Sequence, residues 1–244
     1  MALLEAYGAE VVALPTIRLE PPDEWGPLDT AVRRLGDFDW VVFTSVNGVT
    51  AFEERLRLAG LDAGALAGRR VAAIGPETAE ALRRRGVRPE IVPTEYRAEG
   101  LVAMLGPRVR PGSEVLLVRA AEARDVLPRE LAVRGARVSV APAYRTVTET
   151  DGARQIVALL EARRVDVVTF TSSSTVRGLV ALLPPDSIHR LLDGVVLAAI
   201  GPITAATLAE HGLSAAVAPR EYTVAALASA IAQHFDPPSE EAVR

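Results

Sequence analysis

Cysteine is absent from this 244-residue chain, and so is lysine: all 27 basic residues are arginine. The first absence excludes disulfides, thiolate catalysis, iron–sulfur clusters and cysteine-ligated zinc. The second excludes Schiff-base chemistry through a lysine. Histidine occurs at three scattered positions, His189, His211 and His234, and no metal site is expected from them. His211 precedes Gly212 at a predicted helix end, where positive charge suits the dipole. Aromatic residues make up 5% of the chain and the net charge is −4, so no basic face or stacking platform for nucleic acid is evident. No uncharged apolar run reaches the ~18 residues of a membrane span. The longest charge-free run, 194–209, is interrupted by Gly201-Pro202. Residues 1–10 have no basic region or small-residue cleavage site, so no secretory signal is read and the cytoplasm is the expected compartment.

Apolar residues make up 49% of the chain and charged residues 24%, enough for the core of one large or two ordinary globular domains. The dominant signal is an internal repeat. "AIGPETAEAL" starts at Ala73 and "AIGPITAATL" at Ala199, an offset of 126. "FTSVNGV" at Phe43 returns as "FTSSSTV" at Phe170, offset 127. "VPTEY" ends at Tyr96 and "APREY" at Tyr222, while "GAEVVALPTIR" from Gly8 returns as "GARVSVAPAYR" from Gly135. Four anchors in constant order and spacing mark two copies of one unit.

Each copy alternates strand and helix. The short apolar runs predict strands at 11–17, 40–45, 70–75, 90–94, 115–120, 138–144, 165–172, 195–201 and 215–219. They lack polar alternation, as parallel strands covered on both faces do. Helical periods are predicted over 49–59, 77–85, 98–105, 125–134, 153–163, 175–183, 204–211 and 224–234, with Gly60, Gly86, Gly135 and Gly212 placed to close helices. The class is α/β, with open parallel sheets. The second copy has a strand and helix, 114–134, ahead of Gly135. The first copy has no room for that strand before Gly8, so a natural start upstream of Met1 is expected.

Ligands of open α/β sheets bind beyond the carboxyl ends of the strands, and the repeated motifs fall there. Thr44-Ser45-Val46-Asn47 and Thr171-Ser172-Ser173-Ser174 follow strands and open helices, as do Gly75-Pro76 and Gly201-Pro202. Free amides and a positive dipole end at such turns suit carboxylates or phosphates. Taken singly, each Ser, Thr or Asn reads as an ordinary N-cap. Glu77 in one first turn opposes an anion. There is no GxGxxG after a strand, no Walker loop, no HExxH and no GxSxG. Asp39 and Asp166 sit at amino ends of strands, and Arg69-Arg70, Arg83–Arg85 and Arg163-Arg164 read as solvated faces. Arg18, Arg119 and Arg145 end strands, as does Tyr144, a phenol with an available proton.

The ordered set "GAEVVALPTIRLEPP", "DWVVFTSVNGV", "GRRVAAIGPETAEAL", "VLLVRAAEARDVLPRELAVRGARVSVAPAYRT", "DVVTFTSSSTV", "AAIGPITAATL" and "EYTVAALASAI" resembles uroporphyrinogen-III synthase over almost the whole chain. The resemblance implies two flavodoxin-like parallel-sheet domains joined by a two-stranded linker. The first would be discontinuous, 1–18 plus 146–244, with its N-terminal strand missing; the second would hold 22–142, with crossings at 19–21 and 143–145. The implied reaction closes the linear tetrapyrrole hydroxymethylbilane into uroporphyrinogen III, inverting ring D through a spiro intermediate and losing water. It uses no cofactor and no metal. Tyr144 is then the candidate for assisting departure of the hydroxyl. Thr44, Ser45, Asn47, Gly75, Thr78, Arg119, Thr171, Ser172, Ser173, Gly201 and Thr204 are the candidate substrate contacts. Family members often carry two threonines in the second turn, where Ile203 precedes Thr204 here. A monomer without nucleic-acid or membrane partners is expected, and a transient contact with hydroxymethylbilane synthase is admitted. Two alternatives stay open: a non-catalytic two-domain binding module for a small carboxylated ligand, and an inactive truncated paralogue.

Overall fold

The computed structural model describes residues 1–236. In chain order the elements are α1 (Ala2–Glu5), β1 (Ile17–Glu20), α2 (Gly26–Arg33), β2 (Trp40–Phe43), α3 (Val46–Leu58), β3 (Arg70–Ala73), α4 (Pro76–Arg83), α5 (Ala98–Leu105), β4 (Glu114–Ala120), α6 (Val126–Val133) and β5 (Arg137–Thr148). There follow α7 (Ala153–Glu161), β6 (Val167–Phe170), α8 (Ser173–Leu182), α9 (Ile188–Leu192), β7 (Val196–Ala199), α10 (Pro202–Glu210) and α11 (Val224–Phe235). The chain divides into two compact units. A continuous unit holds residues 19–146, and a split unit holds residues 1–18 with the described residues 147–236.

The continuous unit is built on a five-stranded sheet of order β1-β5-β4-β2-β3. β3, β2, β4 and β5 run parallel. The unbroken apolar run Trp40–Phe43 forms the interior strand β2, between β4 and β3, and all four residues are buried. Side chains of a strand alternate between faces. Val41 and Phe43 therefore meet Leu28, Phe52 and Leu82 from α2, α3 and α4. Trp40 and Val42 meet Leu101, Leu105 and Leu131 from α5 and α6 on the other face. Each such large side chain contributes about 1.5–3 kcal/mol of burial, which favours a strand covered on both sides. α2 was not among the helices predicted from the sequence, the first of which begins at 49. Its Pro27 fits a first helical turn, and Leu28, Ala31 and Val32 form a buried stripe.

In the split unit β6 and β7 pair in parallel. Phe170, Leu197 and Ala199 pack with Ile156, Val176 and Leu208 on one face, and Ala198 and Val217 pack with Leu227 and Ile231 of α11 on the other. The repeat holds to single contacts. Ala72 bridges Ile91 and Ala198 bridges Val217, both offset by 126. These bridges are all that forms of the strands expected at 90–94 and 215–219. Pro93 and Pro219 lack the N–H that a longer ladder needs.

The strand expected at 11–17 is corrected: residues 11–16 form none, and Ile17 opens β1 instead. The repeat mate of this segment, within β5, is held by the ladder to β4. Among the described residues no counterpart of β4 lies beside residues 11–16 or β6. The segment packs instead against helices. The Thr16 hydroxyl donates to the Thr175 carbonyl (3.2 Å), and a Cβ built on Gly178 would stand 2.5 Å from the Thr16 carbonyl. For the same reason Thr169 of β6 is exposed where its mate Val42 is fully buried.

Candidate functional site

In the continuous unit β2 and β3 pair in register up to Phe43 and Ala73, and the Ile74 amide donates to the Phe43 carbonyl (3.0 Å). The turns that follow are therefore neighbours at the carboxyl edge of the sheet. Ser45 is the N-cap of α3, and its Oγ accepts from the Gly48 amide at 3.0 Å. Thr44 Oγ1 donates to the Val118 carbonyl of β4 at 3.4 Å, and Asn47 is exposed in the first turn. Gly75 caps α4, with Pro76 first in the helix and Thr78 4% exposed behind it. The Glu77 and Thr78 amides of the first turn have no intrahelical acceptor, whereas the Ala79 amide already bonds the Gly75 carbonyl, so those two can serve an anion. A Cβ on Gly75 would stand 3.4 Å from Tyr96, which lies over the turn.

The split unit repeats the construction. Ser172 is the N-cap of α8 and forms a capping box with Thr175: Ser172 Oγ accepts the Thr175 amide (3.2 Å), and Thr175 Oγ1 accepts the Ser172 amide (3.3 Å). Gly201 caps α10 with Pro202 first in the helix, and Thr204 is 4% exposed. Tyr222 lies over Gly201 as Tyr96 lies over Gly75, but closer: a Cβ would stand 3.0 Å from its ring. Thr171 is exposed, and the carbonyl its mate Thr44 bonds belongs to β4. Ser173 is tied to α10 through Thr207, whose hydroxyl lies 2.7 Å from Ser173 Oγ.

Arg119, next to last in β4, and Tyr144, expected from the sequence at a strand end but lying inside β5, which runs on to Thr148, sit at the same edge of the continuous unit. Arg119 is 8% exposed. It donates to the Arg124 carbonyl (3.0 Å) and to Asp125 Oδ1 (2.8 Å), and its Nε is buried without a partner among the described residues. The guanidinium hydrogen bond holds the Asp125 carboxyl below its ordinary pKa. Register shifts here: Arg119 faces Pro142 but Ala120 faces Tyr144. The extra residue, Ala143, makes a bulge, and bulges re-aim side chains near sites. Ala143 and Tyr144 consequently both pack on the core that holds Phe43 and Val118. Tyr144 is half-buried there, and its phenol has no hydrogen bond among the described residues. Beside it Arg145 bonds Glu20 of β1 at 2.7 Å and pairs with Asp23 at 3.0 Å.

Thr44, Ser45, Asn47, Gly75, Thr78, Arg119 and Tyr144 thus share one sheet edge of the continuous unit. Thr171, Ser172, Ser173, Gly201 and Thr204 share the equivalent edge of the split unit. Sequence reasoning passed over Thr207, Tyr96 and Tyr222. The two tyrosines kept the repeat spacing, which is the signal that could have found them; Thr207 has Ala81 as its mate and left none. Hydroxyls and adjacent helix N-termini can together bind several carboxylates. Among the described residues no helix is long and apolar enough to cross a membrane, and no cluster of metal-ligating side chains occurs.

Comparison with known proteins gives the same family by independent routes. The family model described as uroporphyrinogen-III synthase HemD matches residues 1–229. A protein of Methanothermobacter thermautotrophicus is 39% identical over 237 residues, covering 94% of this chain and 91% of its own. The uroporphyrinogen-III synthase of Synechococcus elongatus is 32% identical over 236 residues, covering 95% and 89%. Among solved structures, a mutant uroporphyrinogen III synthase of Thermus thermophilus aligns with a TM-score of 0.69 at 25% identity, covering 96% of this chain and 91% of that one.

Proposed function

Because this chain belongs to the uroporphyrinogen-III synthase family, we propose that it converts hydroxymethylbilane into uroporphyrinogen III, inverting ring D and releasing water. The observation that carries the reading is the pair of neighbouring helix starts at the carboxyl edge of each sheet, Ser45 with Gly75 and Ser172 with Gly201. A linear tetrapyrrole with eight carboxylates needs many dispersed donors, and helix N-termini and hydroxyls supply them without titrating. The substrate also closes unaided to the uninverted isomer. The protein's contribution is then chiefly to hold the chain so that the bond forms at the substituted carbon of ring D.

Tyr144 gives its phenolic proton to the hydroxyl of the hydroxymethyl group. The carbon–oxygen bond breaks, water leaves, and the ring proton lost after closure restores the phenol. Arg119, fixed by Asp125 and the Arg124 carbonyl, presents its remaining edge to a substrate carboxylate. As a cytoplasmic lyase acting as a monomer, the protein receives its unstable substrate from hydroxymethylbilane synthase through a transient contact.

A product-isomer assay tests this. Hydroxymethylbilane is generated in situ, the protein is added, and the oxidised uroporphyrins are separated. A majority of isomer III supports the proposal. Isomer I alone, the spontaneous product, rejects it in favour of a carboxylate-binding module without chemistry.

A further inference from the structure

A cavity of about 470 Å³ opens at the amino ends of β2, β3 and β4, and Arg69, Arg70, Arg108 and Arg110 line it. Volumes of this size are those of small-ligand sites. Among the described residues the only carboxylate in the lining is Asp39. One of its oxygens is occupied by the Glu114 amide at 3.0 Å. Most arginines of this chain are matched to acids, as in Arg55 with Asp29 and Arg137 with Glu114. The four in the cavity have no ion pair among the described residues. They are positioned by neutral groups instead. Arg69 donates to the Gly36 and Phe38 carbonyls, and Arg108 donates to the Met104 carbonyl at 2.9 Å. Arg70 lies over the Trp40 ring at 5.4 Å. A tight turn in which the Arg110 amide bonds Ser113 Oγ (3.0 Å) and Gly112 takes φ +87° brings Arg110 to the same rim.

Read from the sequence, Arg69-Arg70 belonged to a solvated face. The fold turns them toward Arg108 and Arg110, residues distant along the chain. Four guanidinium groups within a Debye length repel one another, and no carboxylate in the cavity compensates them all. Three are already held in place, so less side-chain entropy remains to be lost when an anion binds. The guanidinium fork matches carboxylate and phosphate oxygens alike. We propose that this cavity binds a small multivalent oxyanion, a diphosphate or a tricarboxylate. The site lies at the opposite edge of the sheet from Ser45 and Gly75, separated by roughly 10 Å of β2. It is independent of the tetrapyrrole reading.

Calorimetric titration with pyrophosphate and, separately, with citrate tests the proposal at ionic strength matched with sodium chloride. Saturable binding is expected, weakened at least tenfold in Arg108→Gln/Arg110→Gln, two exposed positions whose replacement spares the core. Arg57→Gln/Arg88→Gln, which removes the same charge elsewhere, should bind as the unaltered protein does. Binding of pyrophosphate alone identifies a phosphate site, and binding of citrate alone a carboxylate site. Either supports the proposal, and a melting temperature that rises with the bound anion gives a second readout. No saturable binding of either anion, or equal affinity in the cavity variant, overturns it.

Discussion

The Thr207 hydroxyl lies 2.7 Å from Ser173 Oγ and 3.0 Å from the Ile203 carbonyl, so one buried threonine ties the start of α8 to the first turns of α10. The repeat mates of Ser173 and Thr207 are Val46 and Ala81, which cannot make this bond. Thr207→Val keeps the shape and removes the tie. A loss of about 1 kcal/mol is expected, read as a lower urea midpoint at unchanged slope. An unchanged midpoint would mean that solvent replaces the bond at no cost.

Gly201 is extended, with φ −177°, so its backbone suits any residue. What excludes a side chain is Tyr222, 3.0 Å from a built Cβ. Gly201→Ala should cost about 1–3 kcal/mol through overpacking, and Gly75→Ala, with 3.4 Å to Tyr96, should cost less. In a double-mutant cycle, Tyr222→Leu should recover most of the Gly201→Ala loss. Additive losses would place the strain elsewhere.

Tyr144→Phe preserves the ring that packs on the core and removes only the phenolic hydroxyl, the source of the proton. Turnover to isomer III should fall on the order of 100-fold, the usual worth of a general acid, with little change in melting temperature. Parallel loss of both would return Tyr144 to a packing role.

Acid stability has a named contributor. The Arg124 guanidinium, hydrogen-bonded to Glu99 at 2.9 Å, holds that carboxyl below its ordinary value of 4.5. A depressed folded value adds stability above pH 4.5 that is lost as pH falls through the lowered value. Urea midpoints of the protein and of Glu99→Gln should therefore differ at pH 7 and converge on acidification, the gap being small because the pair is solvated. A constant gap across that range would assign the effect to something other than ionisation.

Much of the fold was legible because it is written locally. The helix starts at Ser45, Ser172, Gly75 and Gly201 follow from capping chemistry and from Pro at the first turn, and all four lie where the repeat put them. Gly60, Gly86, Gly135 and Gly212 close helices with positive φ, as a left-handed cap requires. The strand at 11–17 failed because a strand exists only with a neighbour to bond. Apolar pattern alone cannot report whether that neighbour is present. α2 was missed because its pattern spans only eight residues, and Leu28 and Val32 mark a face only once there is a core to cover.

By itself the sequence determined that the protein is a duplicated α/β chain, free of thiol and lysine chemistry, with hydroxyl-rich and Gly-Pro turns at equivalent strand ends. Periodicity, capping and composition are properties of neighbouring residues. Only the tertiary structure decided that Arg119 is clamped by Asp125, that a bulge sets Tyr144 beside Ala143 on the core, and that Arg69 and Arg70 meet Arg108 and Arg110. Those relations depend on which strands lie side by side and in what register, and on where loops far apart in the chain converge. Sheet pairing sets these over distances that no local pattern encodes.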